Sequence, residues 1–231
     1  MGAELIVDRV GVRYGAVVAV EQVSFSVAPG ECLVMLGANG AGKTSTLHGI
    51  GGLTAASGSV HLGGRRLDGM PGSRRARLGL GHVLEGRHVF PNLTVRENLR
   101  IARPRTRGQA PPVDPLALLP ELEEHLDRPA GRLSGGQQQM LAIARAVAGA
   151  PQAIMFDEPT NGLAPKLVAR TAEIIATLRD LGFAVLVVEQ RLEIAQHLAA
   201  AVLVLRHGRI LHWVDGTDPE LPDLLHAAYL S

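Results

Sequence analysis

Cysteine is almost missing from this sequence. Cys32 is the only one, so no disulfide can close within the chain, and the composition suits a reducing compartment. It stands in an apolar run, where a lone thiol reads as a small buried hydrophobe. Aromatics are scarce too, with one Trp, two Tyr and four Phe. Lysine occurs only at Lys43 and Lys166, and arginine supplies the remaining positive charge. A net charge of +1 provides no bulk attraction to nucleic acid, so no nucleic-acid partner is expected. No stretch approaches the roughly 18 apolar residues of a membrane-spanning helix. Glu4, Asp8 and Arg9 interrupt the N-terminal apolar residues, which argues against a signal peptide. Any membrane role is therefore expected to be peripheral. With Ser231 as the last residue no appended regulatory domain is expected, and no internal repeat or low-complexity tract stands out.

What is present suffices for a core. The chain has 231 residues, 46% hydrophobic and 19% charged, which fits one α/β domain with a small inserted lobe. Strands are expected over 4–10, 17–27, 32–36 and 59–63. The basic stretch Arg74, Arg75 and Arg77 reads as a solvated helix face. Thr94 followed by Glu97 is a capping-box pattern, placing a helix start at Val95. Residues 103–115 hold four prolines and read as a surface connection. Helical spacing over 116–126 is broken by Pro120. A long helix follows Ser134, with Met140, Leu141, Ile143, Ala144 and Val147 on one face. Strands at 153–156, 183–188, 202–205 and 210–213 then alternate with helices at 166–181, 192–198 and 221–230. This alternation implies a layered α/β core with a largely parallel sheet.

Three runs carry chemistry. Gly37, Ala38, Asn39, Gly40, Ala41, Gly42, Lys43 and Thr44 fit G-x-x-x-x-G-K-[ST] between an apolar strand and a helix. The glycines let backbone N–H groups surround a polyphosphate, and the helix N-terminus adds partial positive charge. Lys43 would reach the outer phosphates and the Thr44 hydroxyl would hold Mg²⁺; with so few lysines, one in this loop argues against accident. The second run is a strand ending in Asp157-Glu158. In phosphate-loop enzymes such an Asp holds Mg²⁺, and an adjacent carboxylate can orient and polarise an attacking water. The third is Ser134-Gly135-Gly136-Gln137: a capping Ser, two glycines and an amide, making a second anion site at a helix N-terminus. Tyr14 is compatible both with stacking on a base and with ordinary packing.

Taken together, these runs resemble the ATP-binding cassette family along nearly the whole chain. The resemblance implies a phosphate-loop NTPase core with an N-terminal antiparallel β subdomain and a small α-helical signature subdomain. The core and β subdomain would occupy about 1–84 and 151–231, and the helical part about 88–150. It further implies that Tyr14 stacks on adenine beside Ala19 and that the loop through Thr44 and Ser45 binds ATP. Glu158 would be the catalytic glutamate, acting with Lys43, and Asp157 would lie on Mg²⁺. Residues 134–137 would complete the ATP site of a second cassette in a head-to-tail dimer, and residues 161–164 would link the two sites.

Two positions depart from the family's commonest pattern. Glu85 stands where Gln usually touches Mg²⁺, and Gln190 stands where His usually contacts the γ-phosphate. A carboxylate can still ligate Mg²⁺, and an amide can still donate to a phosphate. Glu85-Gly86-Arg87, residues 94–99, Val188-Glu189-Gln190 and the closing Ala228-Tyr229-Leu230 are similar to one ATPase subunit type of branched-chain amino-acid importers. That likeness implies a cytoplasmic ATPase, peripheral on the inner face of the membrane, with a second ATPase subunit, two membrane permease subunits and, indirectly, a solute-binding protein. Homodimer and heterodimer both stay open. So do a urea or short-amide importer, a hydrolysis-poor regulatory cassette, and a soluble cassette acting on ribosomes or DNA.

Overall fold

A computed structural model describes residues 2–103, 112–198 and 200–230. Most of the proline-rich connection expected over 103–115 lies outside them. β1 (Leu5–Tyr14) and β2 (Val17–Val27) form an antiparallel hairpin. β3 (Cys32–Leu36) follows but belongs to a second sheet. β4 (Ala56–Leu62) returns beside β1, and β5 (Arg65–Arg66) closes a four-stranded antiparallel sheet in the order β2-β1-β4-β5. β1 runs four residues beyond the expected strand because bulges around Arg9 and Gly11 let pairing resume after the apolar run ends.

The second sheet holds six strands. They are β6 (Leu80–Val83), β7 (Ala153–Asp157), β8 (Ala184–Glu189), β9 (Ala201–Arg206) and β10 (Arg209–Asp215), together with β3. Their order is β10-β9-β3-β8-β7-β6, and every pair is parallel except the β9–β10 hairpin. β3, β7 and β8 are buried along their whole length, as parallel strands covered on both faces must be. Their side chains alternate between two cores. Cys32, Val34, Leu36, Ile154, Phe156, Val185 and Val187 face the helical side. Leu33, Met35, Ala153, Met155, Leu186 and Val188 face the antiparallel sheet. Cys32 is a buried free thiol whose pKa burial pushes up to about 12, which keeps it unreactive.

The helices are α1 (Lys43–Gly51), α2 (Gly72–Arg77), α3 (Val95–Ala102), α4 (Pro115–Leu118), α5 (Gly135–Ala148), α6 (Pro165–Asp180), α7 (Leu192–Leu198) and α8 (Leu221–Leu230). The Thr94–Glu97 capping box forms, with Thr94 Oγ1 accepting from Glu97 N and Thr94 N donating to the Glu97 carboxylate. Pro120 ends α4, and the chain continues as a 3₁₀ turn over Pro120–His125. One expectation fails within α2. Arg75 is buried, not part of a solvated face. Its guanidinium donates to Gly49 O, Ile50 O and Met70 O, so it ties carbonyls at the last turn of α1, where helical donors run out, to the chain leading into α2. Among the described residues, no helix is long and apolar enough to cross a membrane.

Candidate active site

Register brings the chemistry to one sheet edge. Leu36 pairs with Glu189, Val188 with Asp157, and Phe156 with Val83. The carboxyl ends of β3, β8, β7 and β6 therefore deliver the glycine loop, Glu189-Gln190, Asp157-Glu158 and Glu85 to one crevice, the usual ligand edge of an open parallel sheet. A cleft of about 200 Å³ lies there, lined by Ala19, Asn39, Gly40, Gly42, Lys43, Thr44, Ser45, Glu85 and Glu158.

The loop conformation needs its glycines. Gly40 and Gly42 are left-handed, at φ +81° and +102°. A Cβ on Gly42 would come within 2.5 Å of Ala19 O, and one on Gly37 within 2.5 Å of Leu205 O, so loop and neighbouring backbone touch directly. Gly42 caps α1. Lys43 is buried and folds back along the loop, with Nζ donating to Gly37 O at 2.8 Å and Ala38 O at 3.1 Å. Nζ also lies 3.3 Å from Glu158 Oε1.

Asp157 is 1% exposed. Its Oδ1 accepts from Thr44 Oγ1 at 3.0 Å, and its Oδ2 is buried without a hydrogen-bond partner. Burial pushes its pKa up to about 6, opposed by the Thr44 hydrogen bond and Lys43 and reinforced by Glu85 and Glu158. An orphaned buried carboxylate oxygen beside a hydroxyl, with Glu85 on the same cleft, is a hard-oxygen donor set that fits Mg²⁺.

Glu158 sits at φ +43°, a left-handed conformation that costs a non-glycine residue about 1–3 kcal/mol. It is held there by Glu158 N donating to Val188 O and by Asn161 N donating to Glu158 O. Gln190 Nε2 lies 2.8 Å from both Glu158 oxygens. Asn161 Nδ2 reaches Glu158 Oε2 at 3.4 Å and Glu85 Oε1 at 3.3 Å. Glu85, Asn161, Glu158, Gln190 and Lys43 thus form one polar cluster. Two of its supports were not singled out from the sequence: Glu189, 2% exposed, and Thr160, whose N and Oγ1 donate to Glu189. The available signal was a carboxylate closing an otherwise wholly apolar strand.

The other expected residues lie elsewhere. Tyr14 ends β1 and is 47% exposed; it does not line the cleft, whereas Ala19 does. Ser134 caps α5 in a capping box with Gln137, as Ser134 Oγ accepts from Gln137 N and Ser134 N donates to Gln137 Oε1. Neither these residues nor Gly135 and Gly136 line the cleft of their own chain. Side chains lie close over both glycines: a Cβ on Gly135 would lie 2.8 Å from the Arg87 guanidinium, and one on Gly136 would meet the tip of Leu167. Arg87 belongs to three successive left-handed residues, Gly86, Arg87 and His88, directly after Glu85.

Residues 20–161 match the ABC transporter family. The chain is 41% identical over 224 residues to the high-affinity branched-chain amino acid transport ATP-binding protein BraG of Pseudomonas aeruginosa, covering 94% of this chain and 96% of that protein. It is 37% identical over 194 residues to the probable branched-chain amino acid transport ATP-binding protein LivF of Archaeoglobus fulgidus, covering 81% and 80%. Among solved structures it resembles a nucleotide-free ATP-binding cassette from an ABC transporter, with a TM-score of 0.84, 26% identity, and 97% and 95% of the two chains covered. It also resembles the ADP conformation of such a cassette, at a TM-score of 0.82 and 25% identity over 97% and 98%. The glycine-loop cleft at the carboxyl edge of the sheet, a second capped helix N-terminus outside it, and these likenesses along the chain together establish that it belongs to the ABC transporter family, as an ATP-binding subunit.

Proposed function

We propose that this chain hydrolyses ATP to drive a bacterial importer of branched-chain amino acids. The observation that carries the hydrolytic part is the convergence of Lys43, Thr44, Asp157 and Glu158 on one cleft, with Glu158 held by Gln190 and Asn161. ATP is the substrate. Its phosphates would take the backbone N–H groups of residues 39–45, and its base would lie toward Ala19 and Tyr14. Lys43 would exchange its contacts with Gly37 O, Ala38 O and Glu158 for the outer phosphate oxygens. Glu158, freed from Lys43 but still held by Gln190, would orient the attacking water and accept its proton on a carboxylate oxygen. Thr44, Asp157 and Glu85 would hold Mg²⁺, which supplies charge neutralisation on the phosphate oxygens.

Residues 134–137 would act on the ATP of a second cassette, because their capped helix N-terminus does not open on their own cleft. ATP would then hold two cassettes together, and hydrolysis would release them. The helical segment over about 88–150 would move with that closure. A groove of about 350 Å³, with Leu53, Ala76, Leu84, His88, Ala102 and Ala146 in its wall, offers a place for a short helix of a membrane permease subunit. It lies immediately after Glu85, so permease movement would reach the metal side of the cleft. On this reading the chain would sit peripherally on the inner membrane face, with an external solute-binding protein acting indirectly. The solute reading is supported by BraG and LivF, both named for branched-chain amino acid transport and matched over most of their length.

The test is Glu158→Gln. The variant should keep the ATP-induced rise in Tm and lose about 10²–10⁴ in kcat. Cells carrying it should lose leucine uptake and keep urea uptake. Undiminished turnover would remove Glu158 from its role, and loss of urea uptake instead would reassign the solute.

A further inference from the structure

The strand β8 ends in a carboxylate that neither the phosphates nor the water would touch. Glu189 is 2% exposed and lies opposite Leu36, beneath the glycine loop. Among the described residues no basic side chain pairs with it, so its burial has to be offset by hydrogen bonds alone. Its two oxygens divide them. Oε1 accepts from Thr160 N at 3.1 Å and Thr160 Oγ1 at 2.6 Å, and Oε2 accepts from Gln190 N at 3.2 Å. Thr160 lies two residues after Glu158, and Gln190 is the residue whose amide spans the Glu158 carboxylate. The carboxylate therefore ties together the two loops that meet at Glu158.

We propose that Glu189 is a positioning residue for hydrolysis. It clamps the loop starting at Glu158 to the loop carrying Gln190, and so fixes the Gln190 amide across both Glu158 oxygens. This rests on the reading of Glu158 as the group that orients water. The clamp uses three donors on two oxygens of one side chain, and an amide cannot reproduce it. Gln at this position keeps one acceptor oxygen, and its NH₂ group would then face either Gln190 N–H or the Thr160 donors. Glu158 is held in a left-handed conformation, so its loop has a relaxed alternative once the clamp loosens. Glu189 is nearly inaccessible, so solvent is a poor replacement for its donors.

The experiment measures steady-state ATPase activity and thermal melting of the full chain with Glu189→Gln, Thr160→Val, Thr160→Ser, Gln190→Ala and the double variants. Glu189→Gln is expected to lower kcat by about 10- to 100-fold with KM for ATP within about twofold of wild type. Thr160→Val should behave alike, while Thr160→Ser, which keeps the hydroxyl, should restore kcat. Glu189→Gln with Gln190→Ala should lose no more than about threefold beyond the worse single variant, because both act through the same contact. An unchanged kcat in Glu189→Gln, a KM rising in step with the fall in kcat, or losses that multiply in the double variant would overturn the clamp. Wild-type protein without any turnover would overturn the ATPase reading instead. Melting then decides the clamp alone: non-additive Tm losses for Glu189→Gln and Thr160→Val sustain it, and additive losses overturn it.

Discussion

Replacing Asp157 by Asn should stabilise the nucleotide-free protein while destroying its response to Mg–ATP. Asp157 carries a charge into a nearly inaccessible place, with one oxygen bonded to Thr44 and the other orphaned. The pKa rises from 3.8 to about 6, because burial, Glu85 and Glu158 outweigh Thr44 and Lys43. A rise of about two units corresponds to about 3 kcal/mol. Solvent in the adjoining cleft screens part of that, leaving about 2 kcal/mol. Asn keeps an acceptor for Thr44 and removes the buried charge. For a chain of this length, Tm should rise by about 4–8 °C at pH 8 without nucleotide. The sign follows from linkage. The folded pKa lies above the unfolded one, so the Asp157 contribution to stability is fully present below about pH 4 and is lost as pH rises through about 6. The advantage of Asp157→Asn should therefore shrink from pH 8 to pH 5. Mg–ATP should raise the Tm of wild type and not that of the variant. Differential scanning calorimetry at both pH values checks this. A variant no more stable than wild type at pH 8, or equally favoured at pH 5, would refute the reasoning.

Two further substitutions probe the scaffold of the cleft. Gly42→Ala adds a Cβ at φ +102°, within 2.5 Å of Ala19 O, and should cost about 2–3 kcal/mol in urea unfolding and abolish ATP binding measured by fluorescent-nucleotide titration. Arg75→Ala removes a buried guanidinium from Gly49 O, Ile50 O and Met70 O. It should cost about 2–3 kcal/mol in the same assay, with nucleotide affinity falling because α1 carries Lys43 and Thr44.

Local pattern made much of this molecule readable. Apolar runs at β3, β7 and β8 announced strands of a layered core. Thr94 with Glu97, and Ser134 ahead of two glycines, announced helix starts, since capping is chemistry between residues three apart. The glycine loop and the Asp157-Glu158 pair were legible because phosphate and metal chemistry demands fixed residue types at fixed spacing. The inward turn of Arg75 was not legible, because two of its three carbonyl partners, Gly49 O and Ile50 O, lie on a different helix and charge by itself suggests exposure.

The sequence alone determined which groups could meet a phosphate, and in which element each would sit. Only the tertiary structure decided which groups meet one another. The parallel register sets Glu189 against Leu36 and Asp157 against Val188, and this long-range pairing places Gln190 on Glu158 and leaves Asp157 Oδ2 without a partner. The capped end of α5 contributes nothing to the lining of the cleft beside Lys43. Strand register and sheet order are properties of residues far apart in the chain, held by two cores that no local window of sequence contains.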